Sequence, residues 1–250
     1  MSSSGITNFY DILPKEYKPS KIQYKNQDEV AISVPMRCLL IGSSGVGKTN
    51  YLLNLMKKIS AFSKIYLFVK DPEEPLYKWM IDHYTKIENQ IFKKTNKIHK
   101  IIYYSNDPSE IPGYDHFEKK DSTLVIFDDL VNEKSKNLDR CANLFTMGRK
   151  HNVSCVFISQ SFFKVPLIIR QNSDYCFILR VNTVRDLHRI LGEYQLGATK
   201  EQIEDMYRKA TGKRGDALLI DVAGPDHLRY RHNFKPFVLP TVNEEEDEDD

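Results

Sequence analysis

The residues from Gly42 to Thr49 read GSSGVGKT and combine three glycines with a lysine and three hydroxyl side chains. They match the pattern GxxxxGK[ST] at every fixed position. Glycines let a loop turn its backbone N–H groups towards a phosphate, and a following helix adds its positive end. Lys48 would reach the β- and γ-phosphates of ATP, and the Thr49 hydroxyl would ligate Mg²⁺. We therefore predict that Mg·ATP is bound by Gly42, Ser43, Ser44, Gly45, Val46, Gly47, Lys48, Thr49 and Asn50.

Two adjacent acids, Asp128 and Asp129, follow the apolar run Leu124–Phe127. An apolar strand that ends in acids, downstream of a phosphate-binding loop, is typical of a Walker B motif. We predict that Asp128 holds the magnesium ion, directly or through water. Asp129 would orient and deprotonate the attacking water.

Gln160 comes directly after the apolar run Val153–Ser159. If this strand lies beside the acidic one, the Gln160 amide would be near the γ-phosphate and would sense ATP against ADP. An arginine from a neighbouring subunit would stabilise charge in the transition state. We favour Arg149 for this role, with Arg170 and Arg180 as alternatives, although an arginine at a helix end can simply bind carbonyls.

Strands and helices alternate along the chain, and this order predicts an α/β fold with a mostly parallel sheet and helices on both faces. Predicted core strands are Met36–Ile41, Lys64–Val69, Ile101–Tyr104, Thr123–Phe127, Val153–Ser159, Tyr175–Val181 and Asp216–Val222, with strand character also at Glu29–Val34. Predicted helices are Asn50–Ile59, Leu76–Ile87, Lys136–Lys150, Thr183–Tyr194 and Thr199–Thr211, and a loop is expected at 105–120.

Charge is distributed unevenly along the 250 residues. The net charge is +2, but the segment Glu244–Asp250 carries seven acids, which leaves 36 basic and 27 acidic residues elsewhere. We predict an N-terminal extension at 1–34, a P-loop ATPase domain at 35–240 and an acidic disordered tail at 241–250. The tail either solubilises the protein or masks a basic groove until DNA displaces it.

Membrane, secretion and metal-cluster signals are weak in this sequence. We expect no membrane span, because no apolar run reaches the roughly 18–20 residues that a span needs, and no secretory signal is expected at the N-terminus. An intracellular location is therefore expected. The four cysteines form no CxxC pair and are predicted to be buried free thiols, and the seven histidines make no metal-ligand pattern.

The order GSSGVGKTN, LVIFDD, FTMGRKHNVSCVFISQS and IIRQNSDY resembles the FtsK–HerA superfamily, and most closely the poxvirus-type genome-packaging ATPases of large DNA viruses and virophages. The resemblance spans about residues 36–222. It implies a P-loop fold of the additional-strand catalytic-glutamate type, although Asp129 stands where that class has Glu. It also implies a homo-oligomeric ring, expected to be hexameric, that drives double-stranded DNA into a capsid. Capsid proteins would be partners, and the site would be the host cytoplasm, a viral factory or the virion.

Other functions of a P-loop protein remain open at this point. The alternatives are a helicase-like or resolution DNA translocase of the same superfamily, a P-loop kinase, and a nucleotide-binding scaffold. A GTPase is disfavoured, because Asn96–His99 (NKIH) has His where the guanine-binding motif needs Asp. Candidate DNA-binding residues are Arg208, Lys209, Lys213 and Arg214, then Lys93, Lys94, Lys97 and Lys100, and also Arg229, Tyr230 and Arg231, although each group can also be a solvated or subunit-contact surface.

Overall fold

Strands and helices alternate through the computed structural model, which describes residues 8–14, 17 and 22–238. The whole of the predicted tail, 241–250, therefore lies outside the described residues. The strands are β1 (Arg37–Ile41), β2 (Lys64–Val69), β3 (Ile102–Ser105), β4 (Thr123–Asp128), β5 (Val153–Ser159), β6 (Tyr175–Ile178), β7 (Leu218–Asp221), β8 (Tyr230–His232) and β9 (Lys235–Pro236). The α-helices are α1 (Phe9–Ile12), α2 (Gln27–Val30), α3 (Lys48–Ile59), α4 (Pro75–Thr95), α5 (Ser135–Met147), α6 (Leu167–Gln171), α7 (Val184–Glu193), α8 (Lys200–Ala210) and α9 (Asp226–Arg229).

All nine strands of the described chain belong to one sheet, in the order β3-β2-β4-β5-β1-β6-β7-β8-β9. The pairs from β3 through to β6 are parallel, and β6 to β9 pair antiparallel. This arrangement confirms the predicted α/β class with a mostly parallel sheet. Because β5 lies between β1 and β4, the loops that follow these three strands meet at one edge of the sheet.

Helices cover both faces of the sheet, as predicted. On one face, α3 and α4 bury Leu52, Leu55 and Tyr77 against the apolar side chains of the parallel strands. On the other face, α5, α7 and α8 bury Phe145, Leu191 and other side chains in a second apolar cluster. Coverage on both faces explains why the central strands are continuous apolar runs; all seven residues of β5 are buried.

The segment before β1 departs from its sequence-based prediction. Strand character was expected at Glu29–Val34, but Gln27–Val30 forms a short helix, and Val34 makes an isolated bridge to Ile22. The backbone carbonyls of this segment bind side chains instead of a strand. Tyr24 donates to the carbonyl of Ile32 at 2.7 Å, and the buried Arg231 guanidinium donates to the carbonyls of Val30 and Ala31.

Several element boundaries also differ from prediction. The helix expected at Leu76–Ile87 continues to Thr95 and ends where Asn96 adopts a left-handed conformation with φ of 53°. The strand expected at Tyr175–Val181 ends at Ile178, and the one expected at Asp216–Val222 is shortened to β7. Two 3-10 turns, Pro108–Glu110 and Tyr114–His116, form within the predicted loop at 105–120.

Two predictions about side chains and membranes can also be compared with the structure. Cys38, Cys141, Cys155 and Cys176 are all buried free thiols, as expected. Within residues 8–14, 17 and 22–238, no helix is both long and apolar enough to cross a bilayer.

Candidate active site

A cleft of about 690 Å³ opens at the edge of the sheet where β1, β4 and β5 end. Most of the predicted nucleotide-site residues line it. The lining residues are Ser44, Gly45, Gly47, Lys48, Thr49, Asn50, Val69, Lys70, Asp71, Glu74, Leu76, Tyr77, Asp128, Asp129, Gln160, Arg214 and Gly215. The structure therefore brings together side chains that are up to 171 positions apart in the sequence.

The loop between β1 and α3 has the backbone conformation that its glycines were expected to allow. Gly45 and Gly47 have φ of 73° and 102°, in the left-handed region that favours glycine. A Cβ on Gly42 would lie 2.9 Å from atoms of both Leu179 and Val46, so this position has no room for a side chain. The loop leads directly into α3, whose N-terminus faces the cleft.

Lys48 folds back over the loop that precedes it. Its Nζ donates to the carbonyls of Gly42 at 2.9 Å and Ser43 at 3.0 Å. Burial lowers the pKa of Lys48, while Asp128, Asp129 and Glu74 act in the opposite direction. A cation held against the glycine-rich loop is suited to bind the terminal phosphates of a nucleotide.

Asp128 is partly buried at the end of β4. Its Oδ2 accepts a hydrogen bond of 2.5 Å from the hydroxyl of Tyr77, which lies one turn into α4. Burial raises the pKa of Asp128 to about 6, and the Tyr77 bond and Lys48 oppose that rise. The negative charge of Asp128 is thus only partly compensated by its neighbours. A carboxylate of this kind beside the phosphate-binding loop is suited to ligate a divalent cation.

Asp129 has an unusual backbone and a partly exposed side chain. Its φ is 58°, a left-handed conformation that costs energy for a residue other than glycine. The Asp129 Oδ2 lies 3.5 Å from Nζ of Lys70 at the end of β2. Gln160 also lines the cleft, because β5 is the direct neighbour of β4, as its predicted sensor role requires.

Sequence reasoning missed several side chains of this cleft, among them Glu74, Tyr77, Lys70 and Arg214. Glu74 Oε1 accepts a hydrogen bond of 3.3 Å from the Thr49 hydroxyl. Arg214 donates to the carbonyl of Gly45 at 2.7 and 3.0 Å. A usable signal existed for Glu74, because the acids of Asp71–Glu74 follow β2, and parallel strands place their carboxyl ends at a common edge.

The candidate finger Arg149 does not join the cleft of its own chain. It precedes β5 and lies 3.7 Å from Asp174, just before β6, so it sits at the opposite edge of the sheet. Its predicted action on a neighbouring subunit therefore remains a prediction. The alternatives are both engaged: Arg170 pairs with Glu193 at 2.8 Å, and Arg180 donates to the carbonyls of Thr211 and Gly212.

Several of the candidate DNA-binding residues have other roles in the structure. Tyr230 is buried, and its hydroxyl donates to the carbonyl of Tyr194 at 2.7 Å, so it cannot contact DNA from this position. Arg214 belongs to the nucleotide cleft, and Arg231 is fully buried and pairs with Asp221 at 2.7 Å. Arg231 therefore cannot contact DNA from this position, because its charge is neutralised in the interior. The lysines at 93, 94, 97 and 100 are exposed, and Lys100 pairs with Glu88.

The residues present fit Mg²⁺ bound together with a nucleotide. Thr49 and Asp128 offer hydroxyl and carboxylate oxygens, the ligand types that magnesium prefers. In the described part of the chain, no group of three or more His, Cys, Asp or Glu could hold a metal. Two protein oxygens would therefore need phosphate oxygens and water to complete the six ligands of Mg²⁺.

The parallel sheet, the glycine loop between β1 and α3 and the acids after β4 together define a P-loop NTPase. The family model described as Poxvirus A32 protein matches residues 23–224, and this chain belongs to that family. The predicted resemblance to the poxvirus-type packaging ATPases is thereby confirmed.

Individual relatives agree with this assignment. The chain is 27% identical over 204 residues to DNA packaging protein OPG160 of Vaccinia virus (strain Copenhagen), covering 77% of this chain and 72% of that protein. The genome packaging NTPase B204 from Sulfolobus turreted icosahedral virus 2, in complex with AMPPCP, superimposes with a TM-score of 0.50 at 15% identity, over 75% of this chain and 93% of that one. The DNA-packaging ATPase B204 from Sulfolobus Turreted Icosahedral Virus gives a TM-score of 0.50 at 12% identity, over 76% and 93%. At these identities the two structures support the fold.

Proposed function

We propose that this protein is a viral genome-packaging ATPase that couples ATP hydrolysis to the movement of double-stranded DNA into a capsid. The observation that carries the proposal is the meeting of Lys48, Thr49, Asp128 and Gln160 in one cleft of a Poxvirus A32 family member. The family relative OPG160 is a DNA packaging protein, which favours packaging over the other uses of this site.

Each side chain of the cleft has a distinct task in this proposal. Lys48 and the loop N–H groups bind the β- and γ-phosphates, and Thr49 and Asp128 hold Mg²⁺, which neutralises phosphate charge when bound. Asp129 and Gln160 lie at the ends of neighbouring strands, where they orient the attacking water and contact the γ-phosphate. B204 binds AMPPCP, an ATP analogue, which supports ATP as the nucleotide here.

A ring of identical subunits, expected to be hexameric, would place one subunit's arginine at its neighbour's cleft. Arg149 is suited to this role because it is exposed on the edge of the sheet that faces away from its own cleft. Its weak pairing with Asp174 at 3.7 Å leaves the guanidinium free to exchange partners. A monomer would then hydrolyse ATP slowly.

DNA would be held by its phosphates, without base-specific contacts, as a motor that moves along any sequence requires. Exposed basic side chains at Arg208, Lys209 and Lys213 remain candidates for this contact. Capsid proteins would be the docking partners. Such a motor would work in the host cytoplasm or a viral factory, or be carried in the virion.

A second candidate function is a helicase-like or resolution translocase with the same site, and a P-loop kinase is a more distant one. Triplex displacement separates a motor that moves along intact duplex, as packaging and resolution translocation both require, from a strand-separating helicase and from a kinase. The wild-type protein with Mg·ATP should displace a third strand from a long DNA duplex, because the motor moves along intact double-stranded DNA. A forked duplex should stay paired, and Lys48→Ala should displace nothing. Unwinding of the fork would favour the helicase, and ATP turnover that needs a small phosphate acceptor would favour the kinase.

A further inference from the structure

We propose that Glu74 is a second catalytic carboxylate of this site, which accepts the proton of the attacking water while Asp129 orients that water. The inference rests on the proposed ATP hydrolysis. It adds to the site a residue from a second loop at the same edge of the sheet. Glu74 lies after β2, whereas Asp128 and Asp129 follow β4.

The position of Glu74 is fixed by the start of α4. Glu74 is the N-cap residue of α4, and Pro75 follows at the first helical position. The backbone N–H of Glu74 donates to the carbonyl of Asp71 at 3.2 Å. A side chain at this position commonly caps its own helix. Here it makes no capping bond and lines the cleft, where Oε1 accepts from the Thr49 hydroxyl at 3.3 Å.

Glu74 shares its cleft with the proposed phosphate-binding and metal-binding residues. Because β2 is the direct neighbour of β4, the Glu74 side chain lines the same cleft as Lys48, Asp128 and Asp129. The Glu74 charge also raises the pKa of both Lys48 and Asp128, which places it within electrostatic reach of the phosphate-binding and metal-binding groups. Within the described residues, its Oε2 makes no hydrogen bond, which leaves an acceptor for water.

Asp129 is less suited to take the proton by itself. Its side chain is one methylene shorter than the glutamate of the class, and its backbone is held in the left-handed region at φ of 58°. Its carboxylate is also shared with the Lys70 ammonium at 3.5 Å. This contact engages one of the two Asp129 carboxylate oxygens that could otherwise accept a hydrogen bond from water. The longer side chain of Glu74 compensates for the departure from glutamate at position 129.

Hydrolysis exchanges one bond to the γ-phosphorus for another. The water oxygen forms a bond to the γ-phosphorus, and the bond from that phosphorus to the β–γ bridging oxygen breaks, so that ADP leaves with the electron pair. The water proton passes to the Glu74 carboxylate and then to solvent or to the released phosphate. No oxidant or further reactant is needed.

The test compares Glu74→Gln with the wild type and with a matched control, Glu73→Gln. Glu73 carries the same charge one position earlier, but its side chain is exposed and pairs with Lys78 on the surface. Steady-state ATP hydrolysis gives kcat and KM, and a fluorescent ATP analogue with Mg²⁺ gives the equilibrium affinity. Glu74→Gln should lower kcat by about 10²–10⁴-fold, the range for loss of a general base, with nucleotide affinity unchanged. Glu73→Gln should match the wild type in both.

Three results would overturn the inference. They are a wild-type kcat in Glu74→Gln, a loss of Mg²⁺-dependent nucleotide affinity that accounts for the lost activity, and equal loss in Glu73→Gln. If Glu74→Gln does not fold, as judged by its melting curve, Glu74→Ala provides the same comparison, because it also removes the carboxylate and the Glu74 side chain makes no capping bond that alanine would lose. Lys48→Ala distinguishes failure of the Glu74 inference from failure of the proposed function. If the wild type hydrolyses ATP no faster than Lys48→Ala, the proposed function fails, whatever the result for Glu74.

Discussion

Lys48→Ala should lower kcat/KM for ATP hydrolysis by about 10²–10³-fold, the usual cost of removing one preorganised charge-stabilising donor. The reason is the position of Nζ, which lies 2.9–3.0 Å from two loop carbonyls inside the phosphate-binding turn. In the nucleotide-bound protein, the γ-phosphate would replace these two carbonyls as the partner of the Lys48 ammonium. Alanine provides no positive charge for that phosphate. The rate should be measured under steady-state conditions with Mg²⁺ in excess.

Lys57→Ala is the matched control for this variant. Lys57 lies on the same helix, is exposed and carries the same charge, but does not line the nucleotide cleft. Its rate should equal that of the wild type. Wild-type turnover by Lys48→Ala, with a normal melting curve, would show that this loop does not bind the reacting phosphates.

Asp128→Asn should abolish Mg²⁺-dependent turnover, by at least about 10²-fold, and at the same time stabilise the nucleotide-free protein. Burial raises the pKa of Asp128 from 3.8 to about 6, so the folded state prefers the neutral acid. The charged carboxylate therefore destabilises the folded state. This destabilisation is absent below pH ~4, grows as the pH rises from 3.8 to about 6, and is complete at pH 7. It amounts to at most about 3 kcal/mol at 1.36 kcal/mol per pKa unit, and solvent reduces it because the Asp128 side chain is only partly buried.

Melting temperatures with and without Mg·ATP measure both parts of this prediction. Without ligand at pH 7, Asp128→Asn should melt higher than the wild type, by about 2–4 °C for each kcal/mol recovered. At pH 4 the difference should shrink, because the wild-type carboxyl is then largely neutral. Added Mg·ATP should stabilise the wild type more than the variant. A variant that melts lower at pH 7, or that keeps its magnesium response, contradicts this account of Asp128.

The sequence was most informative where one motif sets both local structure and chemistry. The glycines of Gly42–Thr49 predicted the loop, the helix that follows and its ligand, because each depends on neighbours within eight positions. The apolar runs likewise predicted a mostly parallel sheet, since strands covered on both faces need no polar alternation. Gln160 lines the same cleft as Asp128 because β5 pairs with β4, an adjacency that the sequence pattern alone does not fix.

Contacts between distant segments were beyond the reach of sequence patterns. Arg214 meets Gly45 across 169 positions, and Arg231 holds the carbonyls of Val30 and Ala31 across about 200. The second contact is made to Glu29–Val34, which alternates like a strand but forms the end of a short helix and an irregular segment. Tyr77 looked like an ordinary helix residue, because its bond to Asp128 depends on how α4 packs across the sheet.

The central claim is an oligomeric, DNA-dependent ATPase, and the rate of ATP hydrolysis against protein concentration tests it most directly. The rate per subunit should be measured with and without long double-stranded DNA, beside Lys48→Ala. The account predicts a rate per subunit that rises with concentration and again with DNA, since neighbours complete each cleft, and no rise in the variant. A wild-type rate per subunit that is indifferent to both concentration and DNA would contradict it.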